Sequence, residues 1–441
     1  MSPVPTVVGA TRALAEVVGS DLQVPVVPSG TRRLLHLDHA ASAPPLRAVA
    51  EAVAAFLPWY ASVHRGAGFA STVSGDALDA ARRRVARFVG ARDDDVAVWT
   101  RNTTDALNLL SRSLPEDTTV VTLDLEHHAN LLPWRRHAVV HAPTPPRAAD
   151  VPDVLDAALA AVRTRHALVA LTGASNVTGE LLPVADVVAV AHRRGARVVL
   201  DAAQLAAHHP IDLAGGDIDY VAFSGHKLYA PYGAGVLVGR ADWLDRSTGY
   251  LAGGGAVRNV TVDGVEWLSA PARHEGGTPN VLGAVAVDAA CAELQTIGLG
   301  TVAEHDAELV GQLLDGVAAL DHDVRPLSVF GTPGEAGIVA LALDRPTDLL
   351  AAALSAEHAI ATRDGAFCAH PLMRRLGGAA DDEPAPSALR VSVGVGTTSD
   401  DIDRFVDALG ELLRHGPRAS YALVGGRLAP DPDTRPRPRP R

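Results

Sequence analysis

Apolar positions recur along this chain in two rhythms. From about residue 80, short runs that are almost wholly apolar alternate with stretches in which apolar residues return every three or four positions. The runs Val96–Thr100, Val120–Leu125, His166–Thr172, Arg197–Asp201, Tyr220–Ser224 and Gly235–Gly239 read as strands. Between them, Thr104–Ser113, Leu131–Arg136, Val151–Thr164 and Val184–Arg194 read as helices. Continuous apolar strands separated by helices predict an α/β fold with a mostly parallel sheet covered on both faces. Ligands in that architecture sit at the carboxyl ends of the strands. Asp201 and Ser224 both fall at strand ends, so they are expected to share a site.

A second, smaller α/β region starts near residue 290. It mixes helices (Val302–Leu320, Asp401–Leu413) with strands (Gly337–Leu343, Ala388–Val393), and a polar loop, Gly377–Ser387, lies inside it. The expected division is a lead segment, 1–30, joining the small domain, a large domain, 31–290, a small domain, 291–418, and an extension, 419–441. The lead carries a short amphipathic stretch, Ala10–Val18. From Ala429 the chain is expected to be extended and disordered, with Arg and Pro alternating from Arg435.

Composition narrows the function. The chain has 441 residues, 47% hydrophobic and 20% charged, enough to bury a sizeable core. A formal net charge of −12 disfavours nonspecific nucleic-acid binding. No apolar run reaches membrane-spanning length, and Met1 to Asp21 lacks the basic start and apolar centre of a signal peptide. Two cysteines, Cys291 and Cys368, cannot build a disulfide framework. A cytoplasmic enzyme without nucleic-acid or membrane partners is the expectation.

Lys227 is the only lysine; every other basic residue among the 39 Lys and Arg is arginine. Arginine can replace lysine in most surface work, but a guanidinium stays protonated and is a poor nucleophile toward carbonyls. A retained lysine in Ser224-Gly225-His226-Lys227 therefore points to a carbonyl-bound amine. An aldehyde cofactor with a pyridinium and a phosphate would need that lysine, a carboxylate against the ring nitrogen and donors for the phosphate. Asp201, ending the apolar strand Val198-Val199-Leu200, supplies a carboxylate, although alone it could bind Mg²⁺ or cap a helix. Ser224 and His226 flank the lysine, and Thr103 and Thr104 stand between a strand and a helix, where helix N-termini bind anions. The pair His127-His128 does not read as a metal site, because adjacent histidines diverge and no cluster completes a tetrahedron. His208-His209 reads as surface or turn, and Gly253–Gly255 as a flexible loop.

These residues lie in longer motifs that resemble the pyridoxal-phosphate enzymes of the class V aminotransferase family, of fold type I. Within that family the chain most resembles the group II cysteine desulfurase and selenocysteine lyase branch. The matching segments are Leu37-Asp38-His39-Ala40-Ala41-Ser42, Val63-His64-Arg65-Gly66, Arg101-Asn102-Thr103-Thr104, Glu126-His127-His128-Ala129-Asn130, Ser175-Asn176-Val177-Thr178-Gly179, Asp201-Ala202-Ala203-Gln204, Ser224-Gly225-His226-Lys227, Gly253-Gly254-Gly255, Glu275-Gly276-Gly277-Thr278-Pro279-Asn280, Arg363-Asp364-Gly365-Ala366-Phe367-Cys368-Ala369 and Leu389-Arg390-Val391-Ser392. They cover roughly residues 31–415.

The resemblance implies a seven-stranded type of sheet in the large domain and a Schiff base between pyridoxal 5'-phosphate and Lys227. It implies that Asp201 pairs with the ring nitrogen, that His127 stacks on the ring and relays protons, and that Asn176 and Gln204 approach the ring hydroxyl. Thr103, Thr104, Ser224 and His226 would hold the phosphate. Thr278 matches a position that reaches the phosphate of the neighbouring subunit, which implies a homodimer with shared sites. Arg390 would bind the carboxylate of an amino-acid substrate, with Arg363, Ala41 and His64 on the substrate side. Cys291 fits a buried small hydrophobe in the apolar stretch Val281–Leu294. Cys368 follows Arg363-Asp364-Gly365 in a loop, near Arg363, His370 and Arg374, cations that favour a thiolate. Its position matches the sulfur-accepting cysteine, which implies a persulfide, alanine as product and a sulfur-acceptor protein. Three departures from the family stand out: Gly396-Thr397 in place of Tyr-Asn, a long 377–387 loop, and the extra terminal segments. The same scaffold supports C–S lyases, epimerases and aminotransferases, and a non-enzyme alternative is a cofactor-free scaffold or sulfur-carrier partner.

Overall fold

The computed structural model describes residues 11–63 and 66–438. Its centre is a sheet of seven strands: β1 (Asp95–Thr100), β2 (Thr118–Leu123), β3 (Ala138–Ala142), β4 (His166–Thr172), β5 (Arg197–Asp201), β6 (Tyr220–Ser224) and β7 (Gly235–Arg240). Their spatial order is β1-β7-β6-β5-β4-β2-β3. β2 to β6 run parallel, and β7 is antiparallel to both β6 and β1. Alternate residues serve the two faces. Val198, Leu200, Val221 and Phe223 join one buried cluster, while Val199, Tyr220 and Ala222 join the other. Burial on both faces is why these strands read as unbroken apolar runs.

α1 (Arg47–Phe56), α2 (Phe69–Phe88), α3 (Thr103–Ser113), α4 (Val151–Ala160), α5 (Val184–Arg193) and α6 (Val281–Ile297) cover the sheet. α6 packs on α1 and α2, and α3 packs over β6 and β7. The second region holds α7 (Leu299–Ala318), α8 (Thr347–His358), α9 (His370–Gly377) and α10 (Ser399–His415). They pack with an antiparallel sheet of β8 (Val324–Pro326), β9 (Ile338–Leu343), β10 (Arg363–Gly365) and β11 (Ala388–Ser392), ordered β8-β9-β11-β10. Thr398 and Asp401 close a reciprocal capping box at the start of α10.

Several sequence expectations shift. The amphipathic stretch at 10–18 is no helix in its described part; Val17 forms an isolated bridge with Leu46 instead, and Leu14 N–H donates to the Val395 carbonyl. Leu131–Arg136 shortens to a 3-10 turn, Pro133–Arg136, and the helix from Val151 stops at Ala160. The expected boundary at 290 falls inside α6, because an apolar helix cannot reveal from its own period where one core ends and the next begins; the chain breaks at Gly298, with φ +86. The 377–387 loop loses its first residue to α9. The tail expected to be disordered from Ala429 instead starts as a strand. β12 (Tyr421–Val424) and β13 (Arg427–Pro430) form a hairpin on α8, anchored where buried Glu357 accepts from Arg418 N–H, Ala419 N–H and the Tyr421 hydroxyl. His208 lies in a turn but is not at the surface: it is buried, with Nδ1 2.6 Å from Asp306 Oδ2.

Candidate active site

The strand register gathers the site. Thr172 at the end of β4 pairs with Asp201 at the end of β5, and Asp201 pairs with Ala222 on β6. Two residues on, Ser224 ends β6 and starts the 3-10 turn Gly225–Lys227. That turn is pressed against the next strand so closely that a Cβ on Gly225 would stand 2.8 Å from the Ala234 carbonyl oxygen. Lys227 is thereby brought back over the end of β5.

A cavity of about 410 Å³ opens there. Its lining includes Ala41, Thr103, Thr104, His127, Asn176, Asp201, Gln204, Ser224, His226, Lys227, Arg363, Cys368 and Arg390, so the geometry unites thirteen of the sequence-derived site residues. Thr278 is exposed and lines a different cavity, of about 240 Å³, beside Tyr250 and Glu275. His64 lies outside the described residues.

Charge in the cavity is set by burial. Burial pushes the Lys227 amine down to about 8; Asp201 acts against the shift, and Arg390 adds to it. Burial raises the Asp201 carboxyl above its ordinary value, against the pull of Ala203 N–H, 3.0 Å from Oδ1, and of Lys227. His127 is pushed down to about 3 by burial and by Lys227, His128 and Arg390. Its Nδ1 accepts from Ala129 N–H at 3.0 Å, which leaves the proton of the neutral ring on Nε2. His226 is pushed down to about 4 by burial and Lys227.

One end of the cavity is rich in donors. Asn102 caps α3 by accepting from Asp105 N–H, and α3 starts at Thr103. Thr103 N–H donates to Ser224 Oγ at 2.8 Å, and the two hydroxyls are 2.7 Å apart. Thr104 is exposed and lines the same cavity. Gln204 Nε2 donates to the Ala40 carbonyl at 2.9 Å.

The other end is cationic. Arg390, its side chain 4% exposed, donates to the Asn176 carbonyl at 2.9 Å and to Asp38 Oδ1 at 3.2 Å, and its Nε has no partner among the described residues. Arg363 reaches the other Asp38 oxygen at 3.6 Å. Cys368 is exposed in the turn after β10. Arg374, expected beside the thiol, donates its Nε to the Glu383 carbonyl instead. Cys291 is fully buried, and burial raises its thiol well above the usual range.

Sequence reasoning missed Asp38, Glu126 and Phe367. Asp38 is the shared counter-ion of both arginines. Glu126 is buried behind His127, accepting from Thr172 N–H at 3.0 Å and Asn130 Nδ2 at 2.8 Å. Phe367 lies under Arg390, whose guanidinium carbon is 5.0 Å from the ring centre. For Glu126 a signal was present, since it is a carboxylate set directly after the stretch that ends at Leu125.

Residues 35–405 match the model of the aminotransferase class-V family. The chain belongs to that family. A probable cysteine desulfurase of Vibrio cholerae is 34% identical over 388 residues, which cover 85% of this chain and 93% of that protein. A cysteine desulfurase of Dickeya dadantii is 34% identical over 393 residues, 86% of this chain and 92% of the other. Among solved structures, a cysteine desulfurase from Escherichia coli in an S-sulfonic acid form superposes with a TM-score of 0.76 at 32% identity, covering 86% of this chain and 95% of that one. The apo cysteine desulfurase of Thermococcus onnurineus gives a TM-score of 0.77 at 28% identity, with the same coverage. The class-V chain has the fold-type I architecture: a large α/β unit with a mostly parallel sheet, and a smaller α/β unit behind it.

Proposed function

We propose that this class-V chain is a pyridoxal-phosphate-dependent cysteine desulfurase. It takes sulfur from L-cysteine, or selenium from its analogue, onto Cys368 and releases alanine. The observation that carries the reading is that Cys368, the Lys227 amine and the Arg390 guanidinium open on one cavity. The relatives named cysteine desulfurase support it.

The residues present fit the cofactor. Asp201 is a buried carboxylate whose raised pKa signals that its neighbours under-compensate its charge, a deficit that a pyridinium would meet. The start of α3 with Thr103, Thr104, Ser224 and His226 forms a donor set suited to a phosphate. When bound, pyridoxal phosphate supplies an electron sink for the pair left at the substrate Cα.

The chain's own groups do the rest. Lys227 Nζ, titrating near neutrality, attaches the cofactor and moves the Cα proton. His127, neutral with its proton on Nε2, can donate into the same cavity without adding charge. The unpartnered Nε of Arg390 and the Arg363 fork take the substrate carboxylate. Cys368 thiolate attacks the substrate sulfur: the new S–S bond forms as the substrate Cβ–S bond breaks, its electron pair stays on the carbon side, and protonation there gives the alanine methyl group. Exposed Cys368 then passes sulfur to an acceptor. Thr278, on its separate cavity, is assigned to the phosphate of a second copy of this chain. Gly396 and Thr397 line another small cavity with Val17 and His39, so this family departure leaves the Lys227 cavity intact.

The test is incubation with L-cysteine and a reductant. Alanine and sulfide are expected in equal amounts, with a borohydride-reducible adduct at Lys227. Pyruvate in place of alanine would overturn the reading in favour of a C–S lyase.

A further inference from the structure

The turn that presents Cys368 is unusual for its residues. Ala369 N–H donates to the Ala366 carbonyl at 2.9 Å, closing a tight turn whose two central residues are Phe367, φ +51, and Cys368, φ +56. Two consecutive left-handed residues suit Asn-Gly or Gly-Gly, and side chains with a Cβ resist them. Something outside the turn must therefore hold it.

The contacts that do so come from the segment after β2. His128 N–H donates to the Cys368 carbonyl at 2.8 Å, and His128 Nε2 accepts from His370 N–H at 3.2 Å. The His370 ring stands edge-on to the His128 ring, with centres 4.5 Å apart and planes at 85°. A third bond, from Asn176 Nδ2 to the Phe367 carbonyl at 2.7 Å, steadies the near side. His128 is not part of the cavity lining and so has no evident contact with substrate. We propose that His128 is a positioning residue for Cys368: its N–H and Nε2 clasp the chain on either side of Ala369, at the Cys368 carbonyl and the His370 N–H, and keep Phe367 and Cys368 left-handed, with Cys368 on the cavity it shares with Lys227 and Arg390. The inference rests on the desulfurase reading for its consequence in turnover, but the clasp itself is a property of the free protein.

Burial and His370 lower the pKa of His128, which favours the neutral ring, and the bond from His370 N–H makes Nε2 its acceptor nitrogen. The same 3-10 turn, His128–Asn130, begins at His127, whose Nδ1 caps it. One short segment therefore sets both the ring that faces the cofactor side and the turn that carries the thiol.

The experiment compares His128→Asn, whose amide is too short to reach His370 N–H, with His128→Gln, whose amide can stand where Nε2 stood. Both are purified as holoenzyme, with His128→Leu as a further variant should Asn fold poorly. Three quantities are read: the cofactor absorbance, the rate at which iodoacetamide alkylates Cys368, and alanine formation from L-cysteine. Asn should keep the absorbance, raise the alkylation rate severalfold as the turn relaxes, and lower kcat by about tenfold to a hundredfold, because a misplacement of about 1 Å costs that much. Gln should restore both. An unchanged alkylation rate in Asn, or a Gln variant no better than Asn, overturns the proposal. Alkylation needs no substrate, so a failed desulfurase reading would remove only the alanine arm and leave the clasp measurable.

Discussion

The two ends of the cavity are built by different means. At the cofactor end, Asp201 and Ser224 stand where strands stop and Thr103 where a helix starts, and the strands are fixed by apolar residues buried on both faces. At the sulfur end, Cys368 sits in a turn whose two central residues are left-handed, and a few hydrogen bonds from His128 and Asn176 hold it. Each left-handed residue with a side chain costs about 1 kcal/mol or more. A site placed by a large core cannot move without unfolding; a site placed by three polar contacts can be retuned by one substitution. Chemistry common to a family belongs on the first kind of scaffold and reaction specificity on the second.

The sharpest way to break this comparison is to remove one end at a time. Lys227→Arg keeps a cation but not a nucleophile. It should abolish the borohydride-reducible adduct and lower alanine formation by about 10⁴-fold, the upper range for a lost general base, while thermal unfolding stays close to that of the parent. Cys368→Ser should keep full cofactor absorbance while alanine formation falls by several orders of magnitude, as when a nucleophile is removed. If Cys368→Ser also lost the cofactor band, the two ends would not be separable.

That asymmetry also governed what could be read from sequence. Val198-Val199-Leu200 followed by Asp201 announces a buried strand ending in a carboxylate, and a lone lysine after another such strand announces its partner. Both signals are local, and the sheet register brings them together as that pattern requires. The family motifs extended this to Thr103, Asn176, Gln204 and Arg390, all of which reach the cavity. Asp38 was not legible as a functional group. Its role exists only because β11 carries Arg390 beside it, 352 positions along the chain, and no period or spacing encodes that approach. The break between the two α/β regions was not legible either, because α6 is apolar enough to hide where it stops at Gly298.

Asp38 offers a finer test of the cationic end. Burial lowers the Arg390 pKa and Asp38 raises it again, yet a guanidinium keeps its charge regardless. Asp38→Asn strands that cation and should cost about 2–3 kcal/mol of stability, toward the lower end for a broken buried pair because Asp38 itself is partly exposed. The loss is read by urea unfolding. A carboxylate ligand such as L-alanine should stabilise the variant more than the parent, since it restores the missing counter-ion. Equal stabilisation of both would show that Asp38 does not set the charge of the carboxylate subsite.

Glu126 sharpens the comparison from the packed side, because it is a polar group inside the half that packing controls. Burial pushes its carboxyl up to about 8; Asn130 and Thr172 pull it down, and Asp201 pushes it up. An unfolded glutamate releases its proton near pH 4, so between about pH 4 and pH 8 the folded state binds more protons than the unfolded one, and stability falls as pH rises. Below that window the protonated acid and an amide are nearly isosteric. Asn130 Oδ1 is buried and has no partner among the described residues, an acceptor that the amide of Glu126→Gln can meet by donating. The variant should therefore stay within about 1 kcal/mol of the parent near pH 5 and exceed it by up to a few kcal/mol near pH 8.5, in unfolding measured across that range. Parallel pH profiles would mean that Glu126 is charged throughout, compensated by its two donors, and that the cofactor end tolerates a buried anion behind His127.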